Sequence, residues 1–231
     1  MLIFISVLIL ILIIFISVSL WYYKKVWFYR DPKRIPPKGN NIIISPADGK
    51  VAYIKKIKTG KIYSKKLEEK IELSEITKVY INKKEGWICG IYMSPRDVHF
   101  NYAPFSSRVS DIVYTKTKAN LPMLDLWEYI NLMFLHRLVN LFSKKFHFQN
   151  ERNTIFISHP KFDAILVEIA DKFVNKIKCL INKEQNIELG QKIGFIERGS
   201  QVDLIIFEKN IIWKVKKGDQ VYGARTILAK F

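Results

Sequence analysis

The sequence predicts a mainly β, largely antiparallel domain carried behind one N-terminal transmembrane helix, with a single helical insertion. Three observations predict it. Met1–Tyr23 is an uncharged run dominated by Ile, Leu, Phe and Val; from Asn41 onward, short β-branched segments alternate with Gly, Pro, Asn and Asp; and one stretch, Leu121–Phe148, spaces its apolar residues by three and four.

The N-terminal run comes first. As a helix, residues 1–23 would extend roughly 35 Å, enough for a bilayer core of about 30 Å. No Lys or Arg precedes it and no small-x-small cleavage site follows it, so a retained anchor fits better than a removed signal peptide. Trp21, Tyr22 and Tyr23 stand where an interfacial aromatic belt falls, followed by Lys24, Lys25, Arg30, Lys33, Arg34 and Lys38 with only Asp31 opposing them. That bias predicts a single-pass protein of the cell membrane, its N-terminus outside and its body in the cytoplasm.

Residues 24–40 form a basic connector stiffened by Pro32, Pro36, Pro37 and Gly39. Residues 41–231 form the main domain. Its expected strands are Ile42–Ser45, Val51–Ile57, segments around Ile71–Leu73 and Thr77–Ile81, then Trp87–Met93, Arg108–Thr115, Asn153–Ser158 and Ala164–Ile169. Residues 121–148 read as a helix or helix pair with a wide apolar face, packed on the sheet or laid against a membrane. Two late phrases, IELGQKIGFI and VKKGDQVYGARTILAK, have the Gly spacing of tight hairpins. They resemble the hairpins of biotinyl and lipoyl carrier domains, which implies a sandwich- or barrel-like core, but neither presents the carrier lysine in its turn.

Composition narrows the functional classes. With 231 residues, 49% of them apolar or aromatic, the chain can build one good-sized core. A formal charge of +17 predicts an acidic neighbour, either phospholipid or polymer. The basic residues are scattered and form no nucleic-acid recognition motif, so no nucleic acid is expected; a non-catalytic, membrane-tethered basic β domain binding an acidic partner or nucleic acid is the competing reading. Cys89 and Cys179 both lie in apolar surroundings and read as small core residues of a reducing compartment, neither a disulfide pair nor a metal set.

Four phrases carry the chemistry: SPADGKV at Ser45–Val51, SPRDVHFNYAP at Ser94–Pro104, NERN at Asn150–Asn153 and ERGSQVDLII at Glu197–Ile206. Singly, each has an ordinary reading, with Asp48 as a turn cap and His99 as a satisfied core histidine. Together and in this order they resemble the phosphatidylserine decarboxylase family, particularly its short membrane-associated form, which includes archaetidylserine decarboxylase-like proteins. The resemblance runs from about Pro36 to Ala229.

The resemblance implies a precursor that cuts itself between Gly199 and Ser200. Ser200 would attack the Gly199 carbonyl and become an N-terminal pyruvoyl group, the built-in cofactor and Schiff-base site, with no metal expected. The 1–199 and 200–231 chains would stay associated. Asp48 and His99 match the family's positions for the cleavage and active-site machinery, and a serine hydroxyl does need such a base. Fuller-length relatives carry a second histidine where this sequence has Tyr102, so either His99 serves both steps or another base does. The implied partner is a serine-headed membrane phospholipid, ester- or ether-linked, decarboxylated to its ethanolamine form. Arg96 and Arg108 are candidates for lipid phosphate, and Glu151, Arg152 and Tyr102 for the pocket rim. A homo-oligomer is left open.

Overall fold

The computed structural model describes residues 2–64, 68–83, 85–133, 139, 141–142, 144–172, 177–197 and 200–231. The chain divides into two compact units, Met1–Pro32 and Lys33–Phe231. In the first, helix α1 (Leu2–Tyr22) runs into a π-helical turn at Tyr23–Trp27, and the stretch Ile3–Trp27 is long and apolar enough to cross a membrane. Its large apolar side chains are exposed, as a helix solvated by lipid requires and a core helix does not.

The second unit is mainly β. In chain order it contains β1 (Ile42–Ile44), β2 (Gly49–Ile57), β3 (Lys61–Ser64), β4 (Glu69–Glu72), helix α2 (Leu73–Thr77), β5 (Gly86–Met93), β6 (Phe100–Tyr102) and β7 (Ser107–Thr115). Helices α3 (Leu126–Met133) and α4 (Phe146–Gln149) follow, then β8 (Arg152–His159), β9 (Phe162–Ala170), β10 (Ile177–Cys179), β11 (Asn186–Ile187), β12 (Lys192–Ile196), β13 (Ser200–Ile206), β14 (Ile212–Trp213), β15 (Gln220–Val221) and β16 (Ile227–Lys230).

The main sheet has eight strands in the order β11-β7-β8-β9-β13-β5-β2-β15, and its long neighbours are antiparallel. Two three-stranded sheets, β10-β12-β6 and β1-β16-β14, accompany it. Alternation along the strands sorts their side chains into two cores. Cys89, Ile91 and Met93 of β5, with Val202, Leu204 and Ile206 of β13, join one core with Ile193 and Ile196 of β12 and Leu228 and Ala229 of β16. Ile88, Tyr92 and Ile205 face the other way, into a core with Ile62, Ile71, Leu73, Ile76, Phe142 and Phe146. The main sheet is thus buried on both faces, which explains why its central strands read as near-continuous apolar runs.

Several expectations are corrected here. Thr77–Ile81 is not a strand: α2 occupies Leu73–Thr77, started by a reciprocal capping box between Glu72 and Glu75 and stopped by left-handed Lys78, with loop beyond. Cys89 is buried but Cys179 is exposed, because it sits on β10 at the margin of its small sheet, with its sulfur near the Ile181 carbonyl at 3.4 Å. Within 121–148 the described helical parts are α3 and α4 only, while 134–138, 140 and 143 lie outside the described residues. Leu126 and Trp127 of α3 are exposed, whereas Met123, Leu141, Phe142 and Phe146 are buried in the second core. The β fold and the apolar helix stand as expected; a likeness to biotinyl or lipoyl hairpins is not supported.

Arg152 organises the back of the sheet. It is fully buried, and its guanidinium donates to the carbonyls of Asn150, His147 and Ile76, tying α2 and α4 to the start of β8. Burial lowers its pKa to about 10, so it stays a cation. Arg152→Ala should lower stability by about 3 kcal/mol or more, since three buried carbonyls lose their donor at once, measurable as a shifted urea midpoint.

Candidate active site

Ser200 is the first residue of β13, paired with Met93 of β5 on one side and Ala170 of β9 on the other. It is fully buried on the face of the first core, and its hydroxyl donates to Met93 Sδ at 3.2 Å. Thioether sulfur is a weak acceptor, so the hydroxyl can exchange this partner cheaply. Gly199, the residue expected before the scissile bond, and Arg198 lie outside the described residues.

Three loops converge on this end of the sheet. β2, β5 and β13 are neighbours, so Asp48 just before β2, Met93 at the end of β5 and Ser200 at the start of β13 stand at the same edge. Gly49 permits that approach: it has φ +147, and a Cβ there would lie 2.1 Å from the Tyr92 carbonyl oxygen. The Ser94–His99 turn leaves from Met93, with Asp97 accepting from Ser94 N at 2.8 Å and Ser94 Oγ at 2.7 Å. His99 is fully buried, and its carbonyl accepts from Ile196 N at 3.1 Å, four residues before Ser200.

Asp48 is held by charge. Arg34 grips both of its oxygens, the Nη2–Oδ2 distance being 2.8 Å, and Gly223 N donates to Oδ1 at 2.7 Å. Arg34 also reaches the Gly223 carbonyl at 2.6 Å and lies over the Tyr102 ring at 5.2 Å. Asp97 lies within electrostatic reach of Asp48; burial, more than that neighbour, raises its pKa, against the opposing hydrogen bonds from Ser94 and Gln220.

Tyr102, Phe100 and their neighbours pack on the opposite side of β6 from His99 and Asn101, and Tyr102 sits against Gly223, where a Cβ would come within 2.7 Å of its ring. Asn101 faces Ser200: its amide donates to the same Met93 Sδ at 3.6 Å, and its Oδ1 has no hydrogen-bond partner among the described residues.

Arg108 pairs with Glu184 on the surface, at the opposite end of β7 from the end that register aligns with Ser200. Arg96 is exposed on the Ser94–His99 turn. Glu151 accepts from the Tyr114 hydroxyl and does not pair with Arg152, which is committed to carbonyls behind the sheet. Asn150 orients backbone near Ser200, its amide donating to the Leu121 and Ala170 carbonyls at 2.8 and 2.7 Å.

Sequence reasoning missed Arg34, Met93, Asn101, Asp97 and a buried carboxyl, Glu168. It also missed a polar network behind Ser200, where Tyr53 and Gln201 donate to Asp203 Oδ1 at 2.6 and 2.8 Å and His147 Nε2 meets Oδ2 at 2.6 Å. The detectable signal was an acid inside an apolar strand, in LVEIA and again in QVDLII.

A pyruvoyl group derived from Ser200 fits the residues present: the serine is dry, begins a strand, and lies beside the unpartnered Asn101 Oδ1. Among the described residues no three His, Cys, Asp or Glu side chains gather as a metal site. A cavity of about 510 Å³ lined by Tyr53, Phe142 and Trp213 among others does not include Ser200, His99 or Asp48, all three of which are buried.

Residues 25–229 match the family model described as phosphatidylserine decarboxylase. A Methanocaldococcus jannaschii protein provisionally described as an archaetidylserine decarboxylase proenzyme is 36% identical over 204 residues, covering 88% of both chains. The phosphatidylserine decarboxylase proenzyme of Pelagibacter ubique is 30% identical over 214 residues, 92% of this chain and 81% of that one. Its counterpart in Pelodictyon phaeoclathratiforme is 26% identical over 206 residues, 89% of this chain and 78% of the other.

Arg34→Ala should cost about 3–5 kcal/mol by leaving the Asp48 carboxylate buried with the Gly223 amide as its remaining donor. Adding Asp48→Asn should recover part of that loss, and thermal midpoints of the two single variants and the double variant measure the coupling.

Proposed function

Because this chain belongs to the phosphatidylserine decarboxylase family and is a decarboxylase, we propose that it is a self-cleaving, membrane-anchored precursor whose Ser200 becomes a pyruvoyl group. Its substrate is a serine-headed membrane phospholipid and its products are the ethanolamine lipid and CO2. The observation that carries this reading is the setting of Ser200: a fully buried hydroxyl whose acceptor among the described residues is a thioether, at the first position of a central strand.

In the cleavage step, His99 takes the Ser200 hydroxyl proton as the oxygen attacks the Gly199 carbonyl carbon, and the amide becomes an ester. Elimination then removes the Ser200 Cα proton and breaks the Cβ–O bond, forming a Cα=Cβ double bond and freeing the 1–199 chain as a carboxylate. Hydrolysis releases ammonia and leaves the ketoacyl terminus on residue 200. Asp48, neutralised by Arg34, fixes the edge of β2 beside this chemistry and bonds Gly223, so one clamp joins both product chains.

The pyruvoyl carbonyl supplies the electron sink for decarboxylation. The protein's own residues orient the headgroup, exclude water and move protons. His99 and Asn101 project from the same face of β6 and its preceding turn, giving one titratable and one neutral polar contact on the Met93 side of Ser200. The apolar helix and the basic connector bring this site to a lipid that is insoluble as a monomer, with each basic residue near an anionic leaflet contributing about 1 kcal/mol.

On a denaturing gel the folded wild type should give two chains, 1–199 and 200–231, the second blocked to Edman chemistry and bearing a carbonyl. Ser200→Ala should remain one chain and release no CO2 from carboxyl-labelled phosphatidylserine. His99→Ala should slow cleavage by about 10²-fold or more. An active preparation in which mass spectrometry finds an unbroken chain with serine at 200 would overturn the reading.

A further inference from the structure

We propose that Glu168 is a second proton-carrying residue of this site: its side chain stands diagonally from Ser200 on the adjacent strand and delivers the proton that the headgroup carbon takes up once CO2 has left. The proposal rests on the reading of Ser200 given above and adds a residue that none of the four sequence phrases contains.

Register places it. On β9, Ala170 pairs with Ser200 and Glu168 pairs with Val202, so Glu168 and Ser200 share a face on adjacent strands as diagonal neighbours. Neighbours on that diagonal stand roughly 7–8 Å apart, within reach of a long side chain. The facing sheet is shaped to admit the carboxyl: a Cβ on Gly194 of β12 would lie 2.0 Å from Glu168 Oε1. Gly194 pairs with Asn101, whose amide shares Met93 Sδ with the Ser200 hydroxyl. Glu168, Gly194, Asn101, Met93 and Ser200 therefore line one interval between two sheets.

Its hydrogen bonding leaves one oxygen available. Oε2 accepts from Asn153 Nδ2 of β8 at 2.9 Å, while Oε1 is buried with no hydrogen-bond partner among the described residues. Among the described residues the other titratable groups on this side are Tyr114 of β7 and Cys179 of β10, both neutral at pH 7, and His99, which shares a face with Asn101, the partner of Gly194. Burial, opposed only by the Asn153 bond, pushes the carboxyl up to about 7. A carboxylic acid that keeps its proton near working pH, with its free oxygen turned to a dry site, is suited to general-acid work.

The step balances with one proton. CO2 leaves with the carbon–carbon bonding pair remaining behind; the Glu168 O–H bond breaks and a C–H bond forms at the headgroup carbon. Water reprotonates the carboxylate before the next turnover. This division leaves His99 to the cleavage step, which is how one histidine suffices.

The test uses the full chain in detergent with phosphatidylserine. Glu168→Gln should still cut itself into two chains, yet decarboxylate about 10²–10⁴-fold more slowly, without the fall in rate that the wild type shows above pH 7. Asn153→Ala removes the one donor to the ionised carboxyl, so its alkaline limb should move to higher pH; a merely structural Glu168 would leave the limb unmoved. A readout independent of turnover follows from linkage. A Glu with an unfolded pKa of about 4.3 and a folded value raised to about 7 holds more protons folded than unfolded across that window. Its stabilisation is complete below pH 4.3 and lost as pH rises through 7, so the wild-type thermal midpoint should fall relative to Glu168→Gln over that range. A cut Glu168→Gln enzyme with the wild-type rate and alkaline limb, an unmoved limb in Asn153→Ala, or parallel midpoint curves would each overturn the proposal. A wild type that never cuts would instead overturn the reading of Ser200.

Discussion

The constraint on which the structure depends is that Ser200 begins a strand held on both sides. Residues 200–206 of β13 pair one for one with Met93 through Trp87 of β5 and with Ala170 through Ala164 of β9. A chain break just before such a strand removes one covalent bond and leaves both ladders in place. In the proposed cleavage the new terminus would stay where the ladders and two packed cores hold it, which is the positional control a covalently built cofactor needs.

Other ties hold the segment after residue 200 to the rest of the domain. β14, β15 and β16 all follow residue 200, and they pair with β2, β1 and one another, so the C-terminal segment is woven into two sheets. The Arg34–Asp48–Gly223 clamp adds a charged tie at the site itself. Arg34 is nearly buried there, its side chain 7% exposed. Fully desolvated ion pairs of this kind are specific more than they are stabilising, because their geometry tolerates few alternatives.

Much of this was readable in the sequence where local chemistry decides it. The β-branched runs gave the central strands, the uncharged N-terminal run gave the apolar helix, and four short phrases gave the family. What escaped was set by tertiary contact. Arg34 counts in the sequence as one of six basic residues after the aromatic belt, and only the fold brings it to Asp48, 14 residues on. Thr77–Ile81 has β-branched composition, but Glu72 and Glu75 start a helical turn over Leu73–Thr77 that stops at left-handed Lys78, and the residues beyond are loop. Glu168 interrupts an apolar strand by one letter. Its meaning comes from a register that pairs it with Val202 and from a glycine on another sheet. Arg108 is the converse: a suitable side chain for phosphate that the fold pairs with Glu184 at the far end of the sheet from Ser200, whereas Arg96 stays exposed on the Ser94–His99 turn.

The network behind the sheet explains why the register at Ser200 is so firmly specified. Gln201 and Asp203 point to the second core, where Tyr53, His147 and Gln201 surround the Asp203 carboxylate, and burial together with that carboxylate keeps the Tyr53 hydroxyl protonated as a donor. Because side chains alternate, a one-residue slip of β13 would turn Asp203 into the apolar face formed by Cys89, Ile91 and Leu166 and would carry Ser200 away from Met93. A carboxylate stripped of its buried partners costs about 3–5 kcal/mol, more than a single residue of ladder can return. The polar cluster thus does its work at a distance of three residues: by having only one place where Asp203 can be satisfied, it leaves only one place where Ser200 can stand.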